Sequence, residues 1–172
     1  MKSQVKSYGN FGYYNDLSKV VPLGSPYIIM IDPSNRCNFK CTFCPTSDHD
    51  LLNTVQRPKG VMDYKLFKKI IDDIKEFDTK LKRLHLYKDG EPCLNRNLSD
   101  MVAYAKNADI SEAVETTTNG SLLSQDLSYR LIRSGLDKIR IAIEAVDDSG
   151  YQSVAGVRVE YDKIRRNVEA LF

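Results

Sequence analysis

The sequence has no long hydrophobic run. Its apolar stretches, Tyr27 to Ile31 among them, fall far short of the ~20 residues that cross a bilayer, so no membrane span is expected. Charge of one sign is not in excess either. Lys and Arg number 25 against 23 Asp and Glu, a formal net charge of +2. Nothing gathers into a polybasic block, and neither nucleic acid nor a membrane surface is indicated as a partner. No apolar segment follows Lys2 and Lys6, so no secretory signal is visible and the cytoplasm is the expected location. Cysteine is scarce, with four residues, and in a reducing compartment none is expected to be paired. What remains is ordinary: 42% hydrophobic and 28% charged residues over 172 positions, the profile of roughly one globular domain that buries a core without staples. Length excludes a complete eight-unit β/α barrel, which needs ~250 residues.

Residues 1–26 mix Gly, Ser, Asn and the aromatics Tyr8, Phe11, Tyr13 and Tyr14 without periodicity, and read as a leader or arm. From 27 to 172 the pattern is regular. Tyr27 to Ile31, bounded by Pro26 and Pro33, is a short continuous apolar run expected to form a strand buried on both faces. Lys65 to Phe77 carries Leu66, Ile70, Ile71, Ile74 and Phe77 at helical spacing behind a capping Asp63. Strands are then expected over 83–87, 113–118 and 139–143, with helices over 98–106, 125–133 and 161–171, the second of these ended by Gly135. Strand and helix alternating in this way predict right-handed crossovers and a parallel sheet. The fold class is therefore α/β, a partial TIM-like (β/α) barrel of about four βα units. A final strand left as an apolar edge leads to the expectation that the chain is the N-terminal part of a longer one.

The loop after the first strand concentrates the chemistry. Asn35-Arg36-Cys37-Asn38-Phe39-Lys40-Cys41-Thr42-Phe43-Cys44-Pro45 is a C-x3-C-x2-C pattern, close enough for three thiolates to surround one metal centre. Structural zinc wants four closed ligands, commonly as two separated pairs; no second pair exists, and His49 is the nearest fourth ligand. Iron–sulfur clusters are commonly held by four closely spaced Cys thiolates, and three would leave one iron open to a non-protein ligand. Buried structural cysteines fit less well, because Asn38 and Lys40 interleave them.

Cys37, Cys41 and Cys44, with Phe43 just before the third, resemble the cysteine motif of the radical SAM enzyme superfamily. Gly90-Glu91-Pro92 after the second strand is similar to the superfamily's GGEP motif, and Thr118-Asn119-Gly120 and Ile141-Ala142-Ile143-Glu144 follow at the next two strand ends. Strand C-termini are where an α/β barrel gathers its active site. The resemblance covers roughly residues 27–172. It implies that the three Cys hold three irons of a [4Fe–4S] cluster while the fourth iron is chelated by S-adenosylmethionine. One electron from an external flavodoxin- or ferredoxin-type reductant then cleaves the sulfonium to a 5′-deoxyadenosyl radical, which takes hydrogen from substrate. It further implies that Phe43 lines the adenine site and that Gly90, Glu91 and Pro92 offer backbone acceptors to the methionyl ammonium. Glu144 and Asn119, at the ends of the fourth and third strands, are candidates to bind polar cofactor groups or else are turn or cap residues, and for Asn119-Gly120 the turn is the stronger reading. Asp89 stands where the motif usually has its first Gly. Ala142 stands where many members carry Ser and Ala155 where many carry Arg, so the polar contacts of these last two do not transfer.

The stretch Leu86 to Asn95 is similar to the SPASM-type branch, whose members act on peptides, sugars or related molecules, and a small-molecule or peptide substrate is the corresponding expectation. Cys93 reads as packing rather than as a further ligand. In Leu84-His85-Leu86-Tyr87, alternation puts His85 and Tyr87 on one face, either as substrate or cofactor neighbours or as hydrogen-bonded core groups. Lys88 and Asp89 contact substrate or each other. Two rivals come from other classes: a non-catalytic zinc module using Cys37, Cys41, Cys44 and His49, and a simple electron carrier, for which the Gly-Glu-Pro motif has no use.

Overall fold

The computed structural model describes residues 21–171. The aromatic segment at 8–14 and most of the expected leader lie outside the described residues, and residues 21–26 form no helix or strand. Four strands follow, β1 (Ile28–Met30), β2 (Arg83–His85), β3 (Val114–Thr118) and β4 (Lys138–Ile141), and they pair in the order β1-β2-β3-β4, all parallel. Each next strand is added on the same side of the last. This is the winding of a barrel wall, not of a doubly wound sheet, and it agrees with the partial β/α barrel expected.

Six α-helices accompany them among the described residues: α1 (His49–Thr54), α2 (Tyr64–Ile74), α3 (Leu98–Ala108), α4 (Gln125–Arg133), α5 (Asp148–Val154) and α6 (Tyr161–Glu169). The expected helices α2, α3, α4 and α6 are present within a few residues of their predicted bounds. Asp63 caps α2 by accepting from the Lys65 and Leu66 amides, as its position predicted. Helix α2 stops at Ile74, short of Phe77, which is left partly exposed. Helices α1 and α5 were not foreseen. Both are short and polar, and each starts at an Asp, Asp48 and Asp147, whose carboxylate takes a first-turn amide.

The main core lies between the sheet and α2, α3 and α4, with Phe67 and Ile71, Leu98, Met101 and Val102, and Leu131 closing on Leu84 and Val114. A smaller second core joins Phe39 of the cysteine loop to Tyr151, Ala155 and Ile164. One expectation is corrected. The first strand was to be buried on both faces, yet Ile28 and Met30 are 45% and 51% exposed. A continuous apolar run announces burial but not from which side; β1 is an edge strand, and only its Ile29 side meets the helix layer.

Candidate functional site

The three cysteines sit on the loop leaving the C-terminal end of β1, and all are free thiols. Local bonds shape the loop. The Cys44 amide donates to the Cys41 carbonyl at 3.0 Å, and the Phe39 amide donates to Cys37 Sγ at 3.4 Å. From the far end of the chain, the Lys40 and Thr42 amides donate to the carbonyls of Ala155 and Val154 at 2.8 and 2.9 Å. Gly156 makes that approach possible: a Cβ there would lie 2.7 Å from the Lys40 carbonyl oxygen, and its φ of +63° favours glycine.

On the other side the Gly-Glu-Pro turn is fitted under the loop. A Cβ on Gly90 would stand 2.1 Å from the Ser34 carbonyl oxygen and 2.5 Å from that of Arg36, so only glycine passes. The Glu91 amide then donates to the Arg36 carbonyl at 2.8 Å. The Glu91 side chain is buried and accepts from the Cys93 amide at 2.9 Å, the Thr118 hydroxyl at 2.7 Å and the Asn119 amide at 2.8 Å. It cross-links the ends of β2 and β3, a role for the carboxylate beyond the backbone contacts the resemblance implied. Asn119 in turn donates to Asn38 at 3.0 Å and reaches within 4.0 Å of Cys37 Sγ, while its own side-chain oxygen closes the Ser121 turn. Turn residue and site organiser are thus the same residue.

The remaining expectations divide. Phe43 is 66% exposed at the rim beside Cys44. Glu144 lies past the end of β4, half-buried, and its charge helps to raise the Cys41 thiol, so it faces the loop. Cys93 packs against the main core and donates to the Thr118 hydroxyl at 3.4 Å, in keeping with a packing role. Lys88 and Asp89 do contact each other, at 3.3 Å. Sequence reasoning missed their partners: the Asp89 carboxylate also pairs with Arg57, and the Asp89 amide donates to Asp32 at 3.2 Å. The acidic residue in place of the motif's first Gly was the one available signal. A cavity of about 670 Å³, lined by Asn38, Ser121, Asp148, Gln152, Arg158 and Lys163, lies beside this region, but no cysteine lines it, and the site is assigned from the motif geometry instead.

Burial raises the Cys37 thiol above its ordinary pKa and pushes Cys41 up to about 11, with the neighbouring Glu144 and cysteines adding to the effect on Cys41. Such thiols remain protonated until a cation is supplied, and metal binding displaces the protons. The donor set is three soft ligands grouped on one loop at the mouth of the sheet, with the fourth cysteine engaged elsewhere. That fits a metal–sulfur centre held by three residues.

The sequence profile of the Radical SAM superfamily matches residues 31–172. This chain belongs to the radical SAM superfamily. A probable GTP 3′,8-cyclase of Thermoplasma volcanium is 28% identical over 148 residues, 86% of this chain and 42% of that protein. This radical SAM chain therefore spans less than half the length of the relative it matches. Among solved structures, BtrN in complex with AdoMet and 2-DOIA superposes with a TM-score of 0.60 at 21% identity, over 81% of this chain and 50% of BtrN. Native anSMEcpe with bound AdoMet superposes at 0.65 and 15% identity, over 85% of this chain and 40% of that one. At those identities the likeness establishes the fold. The family's cofactors are a [4Fe–4S] cluster and S-adenosylmethionine, and among the described residues no helix is long and apolar enough to cross a membrane.

Proposed function

We propose that this radical SAM chain holds its [4Fe–4S] cluster through Cys37, Cys41 and Cys44, and that it processes a peptide or sugar-type substrate with electrons from a flavodoxin- or ferredoxin-type donor. The observation that carries the reading is the fitted contact between the cysteine loop and the Gly-Glu-Pro turn, in which Gly90 has no room for a side chain. When bound, the cluster and S-adenosylmethionine supply reductive C–S cleavage and a 5′-deoxyadenosyl radical. The chain's part is to bind and orient. The three thiols supply the cluster ligands, and Asn119 and the Phe39 amide support Cys37 with N–H donors. Carbonyls of Gly90, Glu91 and Pro92 accept from the methionyl ammonium, Phe43 covers the adenine, and Glu144 faces the cofactor from the end of β4.

Replacing all three cysteines by Ala tests the assignment. About one cluster per wild-type chain and none in the variant, read from iron and sulfide content and spectroscopy after anaerobic reconstitution, is the expected result; an unchanged cluster overturns it, and so does a colourless, zinc-loaded wild-type protein. A nucleotide substrate is a second reading, favoured by the 28% identity to a probable GTP 3′,8-cyclase. Formation of 5′-deoxyadenosine that depends on GTP, and not on peptides or sugars, would decide for it.

A further inference from the structure

The donors around the cysteines differ in kind. Cys37 Sγ receives the backbone amide of Phe39, two residues on, at 3.4 Å. At Cys44 the residue two positions on is Thr46, and there the side chain takes over: Thr46 Oγ1 stands 3.0 Å from Cys44 Sγ. The local backbone explains the difference. Pro45 follows Cys44 directly and carries no amide proton. Residues Pro45–Ser47 form one short 3-10 turn, in which the Ser47 amide donates to the Cys44 carbonyl at 3.0 Å and the Asp48 amide to the Pro45 carbonyl at 3.3 Å. Those amides are committed to carbonyls, and the turn folds the Thr46 side chain back over the sulfur. Cys44 and Thr46 are both half-buried. Among the described residues the Thr46 hydroxyl makes no other hydrogen bond.

Hydroxyl and thiol can exchange the roles of donor and acceptor only while the thiol keeps its proton. A cysteine that ligates iron is a thiolate and can only accept, so the Thr46 hydroxyl then donates. Hydrogen bonds to an ionised group are the stronger kind, and this one favours whichever state places more negative charge on the sulfur. That is the reduced state. We propose that Thr46 is a positioning residue for electron uptake: its hydroxyl donates to the Cys44 thiolate, holds that ligand in place and makes the cluster easier to reduce. The proposal rests on the reading of Cys37, Cys41 and Cys44 as cluster ligands and names a residue that sets how readily their cluster accepts its electron. The Phe39 amide would be supplied by any residue but proline at 39; the donor to Cys44 depends on which side chain stands at 46. Threonine is β-branched and stiff about its first side-chain bond, so little freedom is lost in holding the hydroxyl there.

The test uses the 172-residue chain after anaerobic reconstitution. It is compared with Thr46→Val, which keeps the shape and removes the hydroxyl, with Thr46→Ser, which keeps the hydroxyl, and with Ser47→Ala as a neighbouring control. Redox titration followed by electron paramagnetic resonance, without S-adenosylmethionine, reads the midpoint potential. Equal iron and sulfide content in all the chains is expected. The reduction equilibrium should be about tenfold less favourable in Thr46→Val, which is about 59 mV for one electron, and at the wild-type value in Thr46→Ser and Ser47→Ala. Transfer to deuterium oxide should move the iron–sulfur stretching bands further in the wild type and Thr46→Ser than in Thr46→Val, since valine brings no exchangeable proton to the sulfur. A fully loaded Thr46→Val with the wild-type potential overturns the proposal and leaves the cluster assignment standing. A shift of the same size in Thr46→Ser or Ser47→Ala overturns it too, because the effect then follows packing and not the hydroxyl. Where valine prevents cluster uptake, Thr46→Ala takes its place; failure of both to load while Thr46→Ser loads would assign the hydroxyl to assembly and defeat the claim on potential. A wild-type chain that takes up no cluster removes the cluster reading itself, a result distinct from every comparison among the variants.

Discussion

At the scale of single residues, the site is decided by space and by buried acceptors. Gly90→Ala sets a methyl group against two backbone carbonyls that have no rotamer to yield, so the turn must move away from the cysteine loop. A loss of about 1–3 kcal/mol in denaturant unfolding, together with weakened S-adenosylmethionine binding by calorimetry, is the expected outcome. Glu91→Gln replaces a carboxylate oxygen that accepts by an amide that donates, facing the Cys93, Thr118 and Asn119 donors. It should cost about 1.5–3 kcal/mol, measurable in the same titration. His85 adds a pH dependence. Burial of the ring, opposed by Glu115 and reinforced by Arg140, Arg83 and Lys138, lowers its pKa below the ordinary imidazole value. The unfolded chain then binds the proton first as pH falls, so stability is lost progressively below about pH 6.5 and levels off below the folded value. Thermal midpoints across pH 5–8 should show that slope in the wild type and a shallower one in His85→Phe.

At the scale of elements, what was legible in the sequence followed from periodicity and capping. Helix α2 could be read because Ile70, Ile71 and Ile74 recur at helical spacing behind Asp63, although the structure buries Phe67 in their company and leaves Leu66, which the pattern had included, exposed. Removing that cap, Asp63→Ala, should cost about 1 kcal/mol without touching cluster content, which distinguishes a folding residue from a site residue. Helices α1 and α5 were not legible, since a single polar turn stabilised by one Asp cap has no apolar stripe to announce it. Yet α5 ends in the loop that grips the cysteines. Gly156→Ala, with a Cβ against the Lys40 carbonyl and a left-handed backbone, should loosen that grip; a lower iron content at an almost unchanged main core is expected, read by metal analysis and circular dichroism.

At the scale of the whole molecule, two cores divide the labour. The larger fixes the sheet and helices, and the smaller, around Phe39, Tyr151 and Ile164, ties the cysteine loop to α5 and α6. Local opening of the second core need not unfold the first. Tyr151→Ala should therefore speed hydrogen exchange at the Lys40 and Thr42 amides while leaving the amides of α2–α4 protected; uniform loss of protection would show a single cooperative unit instead. The sequence by itself determined the alternation of strands and helices, the parallel sheet and the cysteine and Gly-Glu-Pro motifs, because each is written in local spacing. Only the tertiary structure decided that Ile28 and Met30 are uncovered, that Glu91 bridges two strand ends, that Arg57 reaches Asp89, and that His85 shares a face with Glu115 and Arg140. Those contacts join residues distant in the chain, and their energies come from burial and charge that exist only once the strands stand side by side.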